Sequence, residues 1–560
     1  MMVEGKVTFD HVPALDSSEG GAKLDFNAKT KKPARRVVVQ AISGNSVVGE
    51  GVTDDEGKFS FSTSVTNIKL RVYAVLEDTS HTKDGIGPEN CSGASWEIYV
   101  VDNTNSGAVY TVEKSNVTAG ETTNIHIPLK DENSSTNSDR IAGPFAILDT
   151  ALREMELVCQ AKPSQSFPFL YINWSPNNTN TGGSYTLGLI GTSHYTEISG
   201  TPHLFILGDA GVDTDEYDDH VVAHEFGHYV EKNIYRGDSV GGAHSIYDSL
   251  DPRVAFSEGF GNAISGMTFS DPVYVDTSGA NSASGFEFDV RTAAAAYSVD
   301  LKTVYSEFNV QNFLWSLFDA RDGVTDTSGS FDRIDPVLRL MKKEKSSTTL
   351  QSFAAFYNQK YGGTAEGLSS LWAALGNSYN SLCSGACTGS GDTADPLDVD
   401  NDLGTAYNAA GIKYPPSTGA VQTTGWWSLY KLSTLSVIFP DTIKYGSGSG
   451  GSTHTGGILN YPYNKFGAHR LFQFTGDGNS ITVKVDTSNT VVCTGTSSDL
   501  KLSLVIWSAG SIVDSDTTSG DANCPSVTFT SVNGRTYIVA AYLKQSYVGP
   551  SPIAIYFLAQ

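Results

Sequence analysis

The stretch DDHVVAHEFGHYVEKNIY, residues 218–235, carries two histidines four positions apart, His224 and His228, with Glu225 directly after the first. Val221, Val222, Phe226 and Val230 recur at the steps of a helix with one buried face. Asp218 or Asp219 is placed to cap that helix, and Gly237 to stop it. On a helix, positions i and i+4 share a face, so both imidazoles can reach one metal ion. Glu225 projects about 100° away and can approach a water on that metal instead of the metal itself. Two surface histidines on an amphipathic helix would share this spacing, but the cap, the apolar backing and the intervening glutamate favour a metal site.

A catalytic zinc ion takes three protein ligands and keeps one position open. A third histidine on the same segment would need His at 234 and Gly at 231, where the chain has Ile234 and Glu231. The alternative is a glutamate from a second helix, and DPRVAFSEGFGNA (251–263) supplies it. Asp251 is an N-cap, Pro252 fits the first turn, and Glu258 shares a face with Asn262. Gly259 and Gly261 are poor helix formers, and the expected reason for them is close approach to the first helix.

Outward from this core the chain changes character twice. Residues 1–130 read as β throughout, with VVVQAI (37–42), KFSFSTSV (58–65), IKLRVYAVL (68–76), WEIYVVD (96–102) and TNIHIPL (123–129) separated by turn formers, which predicts a small β-sandwich. DENSSTNSDR (131–140) is polar and reads as a linker. Phe145, Leu148, Leu152, Met155 and Cys159 then take up helical steps, and further helices are expected at 219–235, 251–267, 307–320, 335–344, 349–360 and 366–376. With strands at 167–174 and 203–208, residues 141–415 form an α+β domain. After breaker-rich 414–425 and 446–457, strands at 469–474, 480–486, 501–507, 526–532, 536–543 and 553–559 predict a second β-sandwich within 416–560. The fold class is therefore multidomain: an α+β catalytic domain with an active-site helix, flanked by two β-sandwich domains.

Composition narrows the function. Lys plus Arg number 37 against 61 Asp plus Glu, a net charge of −24 that repels phosphate backbones and argues against nucleic acid. The basic run Lys29, Lys31, Lys32, Arg35 and Arg36 reads as a solvated turn. Six cysteines pair locally as Cys383 with Cys387 and Cys493 with Cys524, leaving Cys91 and Cys159 as a third candidate pair, which favours an oxidising compartment. No apolar run approaches the roughly 18 residues of a membrane span. The start MMVEGKVTFD has no signal-peptide pattern, so secretion would mean that a signal has been removed. GVDTDEYDDH (211–220) and DPLDVDNDLG (395–404) concentrate carboxylates and are candidates for Ca2+.

His224–His228 with Glu258, separated from His228 by 29 residues, resembles the gluzincin metallopeptidases of the thermolysin-like clan. That resemblance implies Zn2+ ligation by His224, His228 and Glu258, with Glu225 as general base. Asn262 stands where those enzymes place an Asp against a ligand histidine. An amide still accepts an imidazole N–H, without raising the ligand's basicity as a carboxylate does. Tyr247 is comparable in order to the tyrosine that helps stabilise the oxyanion, and His244 could do similar work. His220 reads as a helix N-terminal or surface histidine. HLFILG (203–208) is comparable to the edge strand that pairs with extended substrate.

GGAHSIYDSLDPRVAFSEGFGN (241–262) as a whole resembles secreted bacterial metallopeptidases. TDDEGKFSF (53–61) resembles transthyretin-like or carboxypeptidase-regulatory modules, and LFQFTGDGNSITVKVD (471–486) with GRTYIVAAYL (534–543) looks like the bacterial pre-peptidase C-terminal domain. Together these imply a secreted endopeptidase acting on protein or peptide, glycoproteins included. The rival reading is a surface adhesion or glycan-binding protein with a structural metal site, and Glu225 counts against it because such a site needs no general base.

Overall fold

A computed structural model describes residues 1–77, 91, 95–235, 237, 239, 241–242, 244–246, 250, 252–292, 306–319, 350, 353, 429–431, 439–443, 469–486, 502–508, 511–516, 525–543 and 553–560. The chain begins with β1 (Met2–His11), β2 (Thr30–Pro33), β3 (Val37–Ser43), β4 (Ser46–Val52), β5 (Lys58–Ser62), β6 (Asn67–Glu77), β7 (Glu97–Asp102), β8 (Thr111–Thr118) and β9 (Ile125–Ile127). Period-2 alternation forms them: Phe59 and Phe61 of β5, and Ile68, Leu70, Val72, Ala74 and Leu76 of β6, are buried. In a small sheet, β1 pairs antiparallel with β2 and β5 and parallel with β9.

Helix α1 (Gly143–Ala161) buries Phe145, Leu148, Leu152, Met155 and Cys159, the residues whose steps announced it. It is followed by β10 (Leu170–Trp174), β11 (His194–Ile198) and β12 (Thr201–Ile206). These join the earlier strands in one large sheet of order β11-β12-β10-β7-β6-β3-β4, with β8 also on β6. β10 lies parallel between β7 and β12, setting Leu170 opposite Ile98 and Ile172 opposite Leu204. The separation of 1–130 from 141–415, read from composition, is thus no break in the sheet.

The expected linker is solvent-exposed in part, but its C-terminal end is polar because it is bonded. Asn137 donates to Asp102 Oδ2 at 2.5 Å, and Arg140 is buried, donating to the carbonyl of Gly208 and to Glu216. The basic run is corrected at Arg35 and Arg36 alone, since Lys29 and Lys31 are exposed as expected. Arg35 donates to Asp149 at 2.8 Å and to Glu156 at 3.1 Å, both on α1. Arg36 is buried and pairs with Asp55 at 2.5 Å. Cys91 and Cys159 form a disulfide that ties the segment before β7 to α1, with Cα atoms 5.0 Å apart. The other four cysteines, the cluster at 395–404, the breaker-rich segments and the helices expected at 335–344 and 366–376 lie outside the described residues.

Next come α2 (Asp219–Asn233), α3 (Pro252–Phe269), the hairpin of β13 (Val273–Ser278) and β14 (Ser284–Asp289), and α4 (Glu307–Asp319). The helix expected to run to Gly237 ends at Asn233.

The C-terminal strands belong to a second compact unit. They are β15 (Leu429–Lys431), β16 (Phe439–Ile443), β17 (His469–Thr475), β18 (Ser480–Asp486), β19 (Leu502–Ser508), β20 (Ser511–Asp516), β21 (Ser526–Thr530), β22 (Thr536–Leu543) and β23 (Ile553–Ala559). They make two sheets, β15-β17-β22-β19-β20 and β16-β23-β18-β21. Phe472, Leu504 and Val539 of the first share a core with Val483, Val527 and Phe557 of the second. Phe472 and Phe557 stack with ring centroids 3.8 Å apart, so this is a β-sandwich closed by side chains from both inner faces. Among the described residues no helix is long and apolar enough to cross a membrane.

Candidate metal centre

The two histidines rest on α2, and α2 is held differently from the expectation. Asp218 occupies the N-cap position but makes no side-chain cap bond. Its carboxylate instead accepts from Thr277 N and Oγ1, each at 2.8 Å. Asp219 turns to His11 Nε2 at 3.2 Å and to Thr150 Oγ1 at 3.1 Å. Burial alone would raise the Asp219 pKa; the charge and hydrogen bond of His11, then the charge of Lys32, bring it below the ordinary carboxylate value. The helix start is therefore fixed by tertiary bonds to β13, α1 and β1 in place of a local cap.

Glycine sets the distance between α2 and α3. A Cβ on Gly227 would meet Ile264 Cγ2 at 2.7 Å, and one on Gly261 would meet the His224 ring at 2.9 Å. Gly259 serves another neighbour: its Cβ would meet Val310 on α4 at 2.4 Å. The close approach thus brings His224 Nδ1 to 2.8 Å from Asn262 Oδ1. With Nδ1–H donating to that amide oxygen, the tautomer carries its lone pair on Nε2, the nitrogen a metal would use.

Glu258 lies one turn before Asn262 on α3. One donor atom each of His224, His228 and Glu258 lies within 4.8 Å of the others. His224 and Glu258 are each 9% exposed, and the two imidazoles stand nearly perpendicular with centroids 4.6 Å apart. Two ligands each about 2.1 Å from one zinc ion stand about 3.4 Å apart in a tetrahedral site, and a set of two imidazoles and one carboxylate suits that ion. Glu225 Oε2 accepts the backbone N–H of Tyr195 at 2.8 Å. The residue belongs to β11, which is the edge of the large sheet, whereas 203–208 falls mostly in β12, flanked by β10 and β11. The expected edge strand is thus an interior one, and β11 takes its place.

His244 places Nε2 3.5 Å from Glu258 Oε2 and donates Nδ1–H to Gly242 O at 2.9 Å. Burial by itself lowers its pKa; the charge and hydrogen bond of Glu258, then the charge of Glu307, raise it to about 10. Glu307, on α4, joins His244 and Glu258 with donor atoms within 4.8 Å. No motif announced Glu307, which opens a helix in a stretch without metal-ligand spacing. Tyr247 lies outside the described residues. His220 stands at the N-terminus of α2, as one of its two expected placements had it, but not at the surface: it is buried against Phe269 and Tyr274, with ring centroids 5.3 and 5.6 Å away.

A β-rich, multidomain chain with a clustered His–His–Glu set is the class that fold and site define. Residues 160–375, which include the whole cluster, match the Mycolysin C-terminal domain family. The match makes the chain peptidase-related and of a type associated with secretion. Among solved structures, the pre-peptidase C-terminal domain of a collagenase from Bacillus anthracis is 9% identical, covering 24% of this chain and 96% of that one at a TM-score of 0.16. CorA, a surface-associated copper-binding protein of Methylomicrobium album BG8, is also 9% identical, covering 24% and 98% at a TM-score of 0.16. No curated protein matches the sequence.

Proposed function

We propose that the chain is a secreted zinc endopeptidase of the gluzincin type, with His224, His228 and Glu258 as ligands. The observation that carries this is the convergence of those three donors within 4.8 Å, with Glu225 on the same helix as the histidines. The peptidase-associated match over 160–375 supports it independently. When bound, zinc supplies a Lewis acid that polarises a carbonyl and makes water acidic near neutral pH. Glu225 takes a proton from the attacking water and passes it to the leaving amine. The Tyr195 N–H fixes the orientation of that carboxylate. Tyr247, by its order in the chain, and His244, by its place beside Glu258, are the candidates to donate to the substrate oxygen that gains charge. An extended protein or peptide, glycoproteins included, adds to the outer edge of β11 through backbone hydrogen bonds. A structural metal site in an adhesion protein gives no reason for Glu225.

The test is casein cleavage with and without a chelator, beside Glu225→Gln. The expectation is loss of cleavage in both, by at least ~10²-fold in the variant, with one zinc per chain retained in Glu225→Gln. Equal cleavage by the variant would overturn the mechanism.

A further inference from the structure

We propose that Asn233, the last residue of α2, is a positioning residue: through the phenol of Tyr195 it holds the edge strand β11 against α2 and so sets which bond of an extended substrate is cut. The inference rests on the peptidase reading and on β11 as the docking edge. Tyr195 is bonded to α2 at both of its ends. Its main-chain N–H donates to Glu225 Oε2 at 2.8 Å, and its Oη accepts from Asn233 Nδ2 at 2.9 Å. Glu225 and Asn233 stand eight residues apart on the helix, roughly 12 Å along its axis. One tyrosine is thus strapped along about two turns of α2. Asn233 is itself fixed, because the same amide nitrogen donates to Tyr229 O at 2.9 Å and keeps its second hydrogen for Tyr195. The Tyr195 hydroxyl passes its own hydrogen to Glu197 Oε1 at 3.3 Å, two residues on in β11.

Docking and cleavage are set by different elements, and this is why the strap matters. An extended substrate takes its place from the main chain of β11, whereas the bond that is cut is chosen by the residues of α2. Main-chain pairing accepts many sequences and does not by itself select one register. The ladder to β12, with Tyr195 opposite Leu204 and Glu197 opposite Pro202, fixes β11 within its sheet. It does not fix the strand against the helix; the two bonds of Tyr195 do. The Tyr195 N–H is taken by Glu225, so the outward N–H of Glu197 is the next donor along this edge for a substrate carbonyl. Glu197 is also the residue whose carboxylate receives the Tyr195 hydroxyl. The docking donor, the proposed general base and the end of α2 are therefore joined through one side chain. A bond that served stability alone would change the melting temperature and leave the position of cleavage as it was.

The experiment uses the full chain, loaded with zinc, and casein as substrate. Tyr195→Phe removes the hydroxyl alone, and Asn233→Ala removes the amide. Each should keep its zinc and its circular dichroism and lower kcat roughly 10- to 100-fold, the loss expected for a misplacement on the order of 1 Å. KM should change little, and mass spectrometry of the digest should show new cuts beside the wild-type positions. The double variant should be no worse than the worse single one, because both changes break the same contact. Hydrogen exchange over residues 193–198 gives a readout that needs no activity: the Tyr195 amide, held by Glu225, should exchange faster in both variants than in wild type. Tyr195→Phe, which keeps the ring, decides the matter where Asn233→Ala loosens the helix end. The proposal fails if both variants cut the wild-type positions at the wild-type kcat, if the loss lies in KM alone, or if exchange is unchanged. Casein left intact by wild type would instead overturn the peptidase reading, whereas unchanged exchange in an active protein strikes the strap alone.

Discussion

Gly261 decides whether the residues of the proposed metal centre can meet. Any side chain there enters the space of the His224 ring, 2.9 Å from Cε1 and Nδ1. Gly261→Ala should therefore lower zinc affinity by about 10–100-fold, the range expected when a ligand's orientation is lost, while the fold survives. Chelator competition measures the first and circular dichroism the second; unchanged affinity would show that the ring can move aside. The histidine pair, Glu225 and Glu258 were legible because each lies on a helix whose period and spacing are local. Tyr195 was not, because what it offers is a main-chain N–H, which no side-chain pattern encodes. Asn262 was legible as a position, and its bond to His224 follows from sharing a face with Glu258.

Two elements hold α2 and its carboxylate in place, and each makes a prediction. In β11 successive N–H groups alternate sides. Tyr195 points its N–H away from β12 to Glu225, so Glu197, two residues on, presents its N–H on the same outer side. Glu197→Pro should remove one docking donor without breaking the β11–β12 ladder, raising KM for extended substrates several-fold and leaving short peptides unaffected. Equal effects on both would count against docking along this edge. At the start of α2, the depressed Asp219 pKa has a sign that can be followed. A carboxylate lowered in the folded state adds stability that is complete above its unfolded pKa of about 3.9 and fades as pH falls through the folded value. His11→Ala should lower the melting temperature at pH 7, by the equivalent of about 1–3 kcal/mol, and the gap to wild type should narrow below about pH 4. A gap independent of pH would assign the loss to packing alone. Neither anchor was visible beforehand: Asp218 and Asp219 looked like caps because cap residues are recognised locally, while their partners lie in β1, α1 and β13.

At the scale of the molecule, the C-terminal sandwich followed the sequence closely, since 480–486 alternates and 536–543 and 553–559 are short, nearly continuous apolar runs rich in β-branched and aromatic residues. The N-terminal boundary did not, because a polar segment that is hydrogen-bonded has the same composition as one in water. A fragment beginning at residue 131 lacks β7, the parallel neighbour of β10, and the partner of Cys159. It should be insoluble or unfolded when expressed, whereas two-domain independence would give a folded, zinc-binding fragment; solubility and far-ultraviolet circular dichroism distinguish them. The same parallel pairing has a consequence for how the chain is made. Ribosomes release β7 well before β10, about 70 residues later in the sequence, so one long edge of the nascent sheet stays open during that interval. An open edge is a template for the wrong partner, and vectorial synthesis thereby makes the interval between residues 102 and 170 the stretch in which a chaperone would matter most.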